Sequence, residues 1–236
     1  MLTHKTDRLQ IYFGDATDNI SKQLHCVPTT AQLVNVEPFK SVAQKIGVSR
    51  LSALNQTHGT QGSVITNGDI SFSIDGDYLI TNQPQVGLGV LTADCVPLVL
   101  YDEKNHAVGM AHAGWRGAVG AIVPKAFEQM RSLWKSDARH MQLFIGPSAK
   151  VCCYQVQEDF ALHIPSAYLE KVMIQKGGHW YFDVVQLIQL QMKELGIRSA
   201  QIHAKFNFCT ICDHHFFSHR RQHTHAGRQI SIVVLK

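Results

Sequence analysis

Short strand-like runs constrain the fold of this sequence more than any other feature. Residues 9–13, 77–81, 86–91, 96–101, 106–111, 141–145, 200–204 and 229–235 are short, apolar or alternating, and often bounded by Gly, Asp or Asn. Helical periodicity is scarcer. Val119, Ile122, Val123, Phe127, Met130 and Leu133 recur at spacings of three and four, which predicts a helix over 118–134. Pro124 inside that stretch predicts a kink or a helix start nearby. A second helix is expected over 183–195, between Asp183 as N-cap and Gly196 just past the end. A third is expected over 38–47, opening at Pro38. Strands outnumber helices and do not alternate with them regularly. The expected architecture is α+β, with mixed β-sheets and flanking helices in a single domain over residues 1–236.

Composition narrows the function classes. Of 236 residues, 45% are apolar and 17% charged, which excludes wholesale disorder. A net charge of +4 is too mild to call for nucleic acid. There is no run of apolar residues long enough to span a bilayer as a helix. The first residues are too polar for a signal peptide. These features predict a cytoplasmic setting without nucleic-acid or membrane partners. Cysteines 26, 95, 152, 153, 209 and 212 are then expected as thiols or metal ligands, not as a disulfide framework. The unusual count is 14 histidines, so the function should employ imidazole.

The strands at 96–101 and 106–111 flank Asp102-Glu103-Lys104-Asn105. A hairpin with a two-residue turn at Glu103-Lys104 pairs Tyr101 with His106. In that register Cys95 lies directly opposite His112 on the same face, with Cβ atoms about 4.5–5.5 Å apart. Thiolate and imidazole are good zinc ligands. His58, in Asn-Gln-Thr-His-Gly at 55–59, is the leading third ligand, because Gly59 lets the chain turn and aim the ring inward. A His2Cys site leaves an open coordination position, which is the mark of catalytic zinc. Two core residues facing each other on a strand pair would read the same way.

His112 is followed by Ala113-Gly114-Trp115-Arg116-Gly117 and the helix. A strand end, a glycine turn and a helix start attract anions, and Arg116 adds a cation while Trp115 offers a stacking surface. A tight turn carrying a surface arginine fits the spacing equally well. Near the C-terminus, Cys209 and Cys212 form a C-x2-C with His215, His219 and His223 downstream. The loop from Cys212 to His219 is half the usual finger length, so no separate metal is expected there. Arg220, Arg221 and Arg228 could pair with phosphate or carboxylate groups.

Six segments together resemble one family. They are Asn-Gln-Thr-His-Gly at 55–59, Thr-Ala-Asp-Cys-Val-Pro at 92–97, Ala-His-Ala-Gly-Trp-Arg-Gly at 111–117, Ile-Gly-Pro at 145–147, Cys-Cys-Tyr at 152–154 and Phe-Phe-Ser-His-Arg-Arg at 216–221. The family is the bacterial laccase-domain, or polyphenol-oxidase, family, also described as a purine nucleoside phosphorylase and adenosine deaminase family. The resemblance runs from about residue 50 to the C-terminus. It implies an α+β domain with zinc held by His58, Cys95 and His112. It also implies phosphorolysis of adenosine, inosine, guanosine and 5′-methylthioadenosine, and deamination of adenosine. Purine nucleosides and phosphate are the implied partners, and the loop over Gly114, Trp115, Arg116 and Gly117, with Arg220 and Arg221, suits the phosphate. Asp94, beside Cys95, is the expected proton shuttle. Alternatives are a copper polyphenol oxidase, since His2Cys also suits copper, and a cysteine hydrolase acting on an amide of a cell-wall precursor, with Cys95 as nucleophile and His112 as base.

Overall fold

The computed structural model describes residues 2–20, 32–66 and 71–236; Cys26 lies outside them. Two six-stranded mixed sheets form its centre. The first runs in the order β1 (Leu2–Lys5), β2 (Leu9–Phe13), β15 (Gln229–Leu235), β7 (Gly87–Thr92), β3 (Leu51–Asn55), β5 (Ser71–Asp75). Its first four strands pair antiparallel, and β3 joins β7 and β5 in parallel. The second runs β14 (Ile202–His203), β10 (Met141–Ile145), β8 (Val96–Asp102), β9 (Ala107–Ala113), β6 (Tyr78–Thr81), β4 (Gly62–Val64). Only its two outer pairings are parallel. A small sheet, β11 (Gln155–Val156), β13 (His179–Phe182), β12 (Met173–Lys176), stands apart.

Alternation explains the layering. In β8, Val99 and Tyr101 meet Phe13, Leu88 and Val233 of the first sheet, whereas Leu98 and Leu100 face helices on the other side. A strand covered on both faces reads as a continuous apolar run, as β8, β9 and β15 do. The outer face of the second sheet carries α3 (Ile122–Trp134), α4 (Ser166–Val172) and α5 (Val184–Glu194). The outer face of the first sheet is covered by α1 (Phe39–Ile46), through Phe39, Val42 and Ile46. The α+β expectation with mixed sheets is met. No described helix is long and apolar enough to cross a membrane.

Three local expectations need correction. The helix over 118–134 is two helices, α2 (Trp115–Val119) and α3, with Ala121 between them in the left-handed region at φ 59°. Pro124 explains the break: it has no N–H to give and its ring would strike the carbonyl of Gly120 in a continuous helix. Leu133, expected on the buried face, is 49% exposed in the last turn. The hairpin closes on Asp102 and Ala107, not on Tyr101 and His106. Asp102 accepts bonds from the Lys104 and Asn105 amides at 3.0 Å and from Asn105 Nδ2 at 2.7 Å, so its side chain builds a four-residue loop. Pro97, not Cys95, is therefore opposite His112. The slip is two residues, so Cys95 keeps the face of His112 and meets it diagonally from just beyond the strand.

Candidate active site

Three chain segments meet at the edge of the two sheets. After β3 the chain leaves the sheet at Asn55, and Gln56 replaces the lost pairing. Its side chain donates to Leu91 O at 2.8 Å and accepts from Leu91 N at 2.7 Å. His58 follows with φ 61°, a backbone region that a residue bearing a Cβ enters only when its surroundings hold it there. Asp77, buried at the head of β6, does the holding. It accepts from the amides of Thr57, His58 and Gly59 at 3.3, 3.0 and 2.6 Å and from Thr57 Oγ1 at 3.1 Å.

The same carboxylate accepts from His112 Nδ1 at 2.8 Å. That bond fixes the imidazole with its proton on Nδ1 and turns Nε2 toward Cys95 and His58. The rings of His58 and His112 lie edge to face, 4.9 Å apart. Charge follows the geometry. Burial alone would raise the Cys95 thiol, but His112 and then His58 bring it down to about 6, so it is a thiolate at neutral pH. Burial opposes charge on His112, yet the Cys95 thiolate and the Asp77 carboxylate push it up to about 9. Burial likewise opposes charge on Asp77, and His112 with the loop amides holds it below the usual carboxylate range.

One ligand atom from each of His58, Cys95 and His112 lies within 4.8 Å of the others. A tetrahedral zinc with Zn–N near 2.0–2.1 Å and Zn–S near 2.3 Å sets such atoms roughly 3.3–3.7 Å apart, which lies inside that limit. The next loop leaves room for it. A Cβ on Gly114 would stand 3.0 Å from the His58 ring and 3.1 Å from Cys95 Sγ. Donor chemistry, a carboxylate behind one imidazole and a glycine beside the cluster all fit a bound transition metal.

The trio floors a pocket of about 870 Å³ whose walls include Trp115, Arg116, Tyr154, His219, Arg220 and Arg228. Arg116 stacks on the Trp115 indole, 4.3 Å from its centroid, and Trp115 also touches Phe160 and His163. Gly114 and Gly117 belong to this turn; a Cβ on Gly117 would meet Gly59 O at 3.0 Å, so the two loops pack backbone to backbone. Arg220 lies over the Tyr154 ring at 5.0 Å and donates to Gln155 O at 2.9 Å. Burial, reinforced by the Cys95 and Asp94 charges, pushes the Tyr154 phenol up to about 12, so it stays protonated.

Two expected residues have other work. Asp94 accepts from Thr210 Oγ1 at 2.7 Å and from the Arg220 amide at 2.6 Å, and so fastens the C-terminal segment to the pocket. Arg221 does not line the pocket. Its guanidinium donates to the carbonyls of Thr210, Ile211 and Phe216 at 2.7, 2.8 and 2.5 Å, which turns it away from any anion there. Sequence reasoning missed Asp77 and the pocket roles of Tyr154 and His219. The Gly76-Asp77 pair ahead of an apolar strand was the available signal for Asp77.

Comparison with known proteins follows the same lines. Residues 31–236 match the family described as multi-copper polyphenol oxidoreductase laccase. A purine nucleoside phosphorylase of Clostridium acetobutylicum is 29% identical over 239 residues, covering 100% of this chain and 95% of its own. One from Aquifex aeolicus is 34% identical over 162 residues, covering 69% of this chain and 72% of its own. Among solved structures, the Bacillus licheniformis hypothetical protein YfiH superposes with a TM-score of 0.82 at 26% identity, over 97% of this chain and 93% of that one. YlmD from Geobacillus stearothermophilus shares the fold, with a TM-score of 0.79 at 23% identity over 99% and 90% of the two chains.

Proposed function

The chain belongs to the multi-copper polyphenol oxidoreductase laccase family, and from that premise we propose that it is a zinc-dependent purine nucleoside phosphorylase that also deaminates adenosine. Its nucleosides are adenosine, inosine, guanosine and 5′-methylthioadenosine. The carrying observation is one pocket in which a His2Cys cluster forms the floor and guanidinium groups form the wall. Relatives named purine nucleoside phosphorylase, one of them aligned along the whole chain, support the substrate class.

His58, Cys95 and His112 would hold the metal, which supplies a Lewis-acid charge at the pocket floor when bound. Asp77, bonded to His112 Nδ1, keeps Nε2 aimed at that position, where a bound cation would take the place of the Nε2 proton. Arg116 and Arg220 hold phosphate, with the free amides of the Gly114–Gly117 turn beside them. Phosphorolysis moves the ribosyl carbon from the purine nitrogen to a phosphate oxygen, so the leaving base needs a proton or a donor. The protonated Tyr154 phenol, stacked by Arg220, is placed on the wall to serve as that donor. Asp94 positions Arg220 through its amide, which makes it a positioning residue in this reading. Trp115 is held by Phe160, His163 and Arg116, so it shapes the wall.

The second reading, a cysteine hydrolase, also has an observation behind it. Cys95, His112 and Asp77 form a thiolate, imidazole and carboxylate chain of the kind that activates nucleophiles. Convergence of His58 on the same thiolate favours a metal. The test is turnover of nucleoside with phosphate by protein purified without added metal. Release of free base that needs phosphate, stops on chelation and returns with zinc is the expected result. Turnover that survives chelation supports the hydrolase, and oxygen uptake with phenols on copper loading supports an oxidase.

Arg116→Ala is expected to raise the KM for phosphate about tenfold or more, the loss of a charge-assisted bond. Deamination consumes water rather than phosphate and should suffer less. Steady-state kinetics of both reactions on the same preparation give the comparison. Equal loss of both, at unchanged stability, would assign Arg116 to the nucleoside or to the turn itself.

A further inference from the structure

A second cluster of metal-ligating side chains lies behind the pocket wall, and none of the chemistry above uses it. Cys152 and Cys153 sit in the turn that follows Ser148, and Cys209 and Cys212 in the turn that follows Phe208. The two turns are sewn together. Ser148 N donates to Phe208 O and Thr210 N to Ser148 O, both at 3.0 Å. Asn207 Nδ2 bridges Gly146 O and Ser148 Oγ at 2.7 Å, and Lys150 Nζ reaches Asn207 O at 3.1 Å. The result brings four sulphur atoms within 4.8 Å of one another.

We propose that Cys152, Cys153, Cys209 and Cys212 form a tetrathiolate site for a structural zinc ion, separate from the His58–Cys95–His112 cluster. A tetrahedral ion with Zn–S near 2.3 Å sets its sulphurs about 3.8 Å apart, inside the 4.8 Å within which all four sulphurs lie. A disulfide would instead draw the sulphurs into pairs about 2.05 Å apart. Local geometry agrees with a metal knuckle. Amides of Cys212, Lys150 and Ile211 point at the Cys209 sulphur. Cys152 and Cys212 are exposed, which gives the ion a way in.

The histidines of the C-terminal run are not the partners of the C-x2-C. His215 pairs with Asp213 at 2.8 Å, and His219 faces the pocket with its Nδ1 on His223 O at 3.0 Å. The expectation that this C-x2-C takes no separate metal rested on the short loop to those histidines and on the resemblance, which assigns no metal there; the proposal departs from it because Cys152 and Cys153 supply other partners. The site would also stiffen the pocket. Cys153 precedes Tyr154, and Cys209 precedes Thr210, whose hydroxyl holds Asp94. The ion would therefore clamp two wall segments from behind.

The test counts zinc in the full chain, purified from zinc-supplemented cells, by elemental analysis. Cys209→Ser/Cys212→Ser should carry about one equivalent less zinc than the parent chain, and His58→Ala/His112→Ala should retain the thiolate-bound equivalent. Where the serine variant fails to fold, cobalt substitution of the His58→Ala/His112→Ala protein gives the second readout. Thiolate-to-cobalt charge transfer with the intense visible bands of a tetrahedral site supports the proposal. Unchanged zinc content in a folded Cys209→Ser/Cys212→Ser protein overturns it. So does a histidine double variant without zinc whose mass is lowered by the hydrogens lost to disulfide formation, and so does iron in place of zinc.

Discussion

Asp77→Asn should lower zinc affinity about 10–100-fold and phosphorolysis with it, although the side chain keeps its shape. Both carboxylate oxygens accept from donors: Oδ1 from His112 Nδ1 and the His58 amide, Oδ2 from the amides of Thr57 and Gly59. An amide group must oppose one set. If the NH2 faces Gly59 N, two donors stand at a separation that was 2.6 Å in the hydrogen bond. If it faces His112, the imidazole must accept on Nδ1 and carry its proton on Nε2, where a metal would bind. Asp77→Ala goes further and leaves a buried imidazole and three amides without their acceptor, for a loss of about 3–5 kcal/mol. Zinc titration of Asp77→Asn and denaturant unfolding of Asp77→Ala, both starting from metal-free protein, separate ligand orientation from loop stability. Parental zinc affinity in Asp77→Asn would show that His112 is oriented by something else.

Arg220→Ala and Arg221→Ala should fail in opposite ways. Arg221 has half-buried surroundings and three backbone carbonyls as acceptors, so its loss should cost about 2–4 kcal/mol and lower activity only through stability. Arg220 is exposed, and its tie to Asp94 is through the main chain, which alanine keeps. Its loss should leave stability within about 1 kcal/mol. It should lower kcat/KM by roughly 10–100-fold, the worth of one charge-assisted hydrogen bond. Thermal unfolding and phosphate-dependent kinetics on the same preparations distinguish them. A stable, inactive Arg221→Ala would place its guanidinium on the substrate side of the wall.

The contrast between those neighbours shows what a sequence can carry. Arg220 and Arg221 are equivalent as letters, and only the path of the 209–218 turn decides which one is tied up by the carbonyls of that turn and which one lines the pocket. The association of Cys95 with His112 was legible because side chains alternate along strands. An error of two residues in register preserved the face, whereas the loop length was hidden in the side-chain bonds of Asp102. The break before α3 was legible through Pro124, since proline acts locally. Asp77 was not, because its partners lie on two other segments. The pairing of Cys152–Cys153 with Cys209–Cys212 was hidden for the same reason. Strands β12 and β13 escaped because most of their residues are exposed or half-buried, so they lack the apolar signature that marks β8 or β15.

The place of β15 sets the timetable of folding. It lies between β2 and β7, with Leu235 opposite Leu9. While the chain is being synthesised, β1 is the one earlier partner of β2 among the described strands, and an isolated two-stranded hairpin is marginally stable in water. Its apolar edge therefore waits on the nascent chain until Gln229–Leu235 has left the ribosome. The first sheet can close only then, and with it the wall from which the Gln56–His58 loop departs. Such distant pairing slows folding and leaves a sticky edge open in the interval.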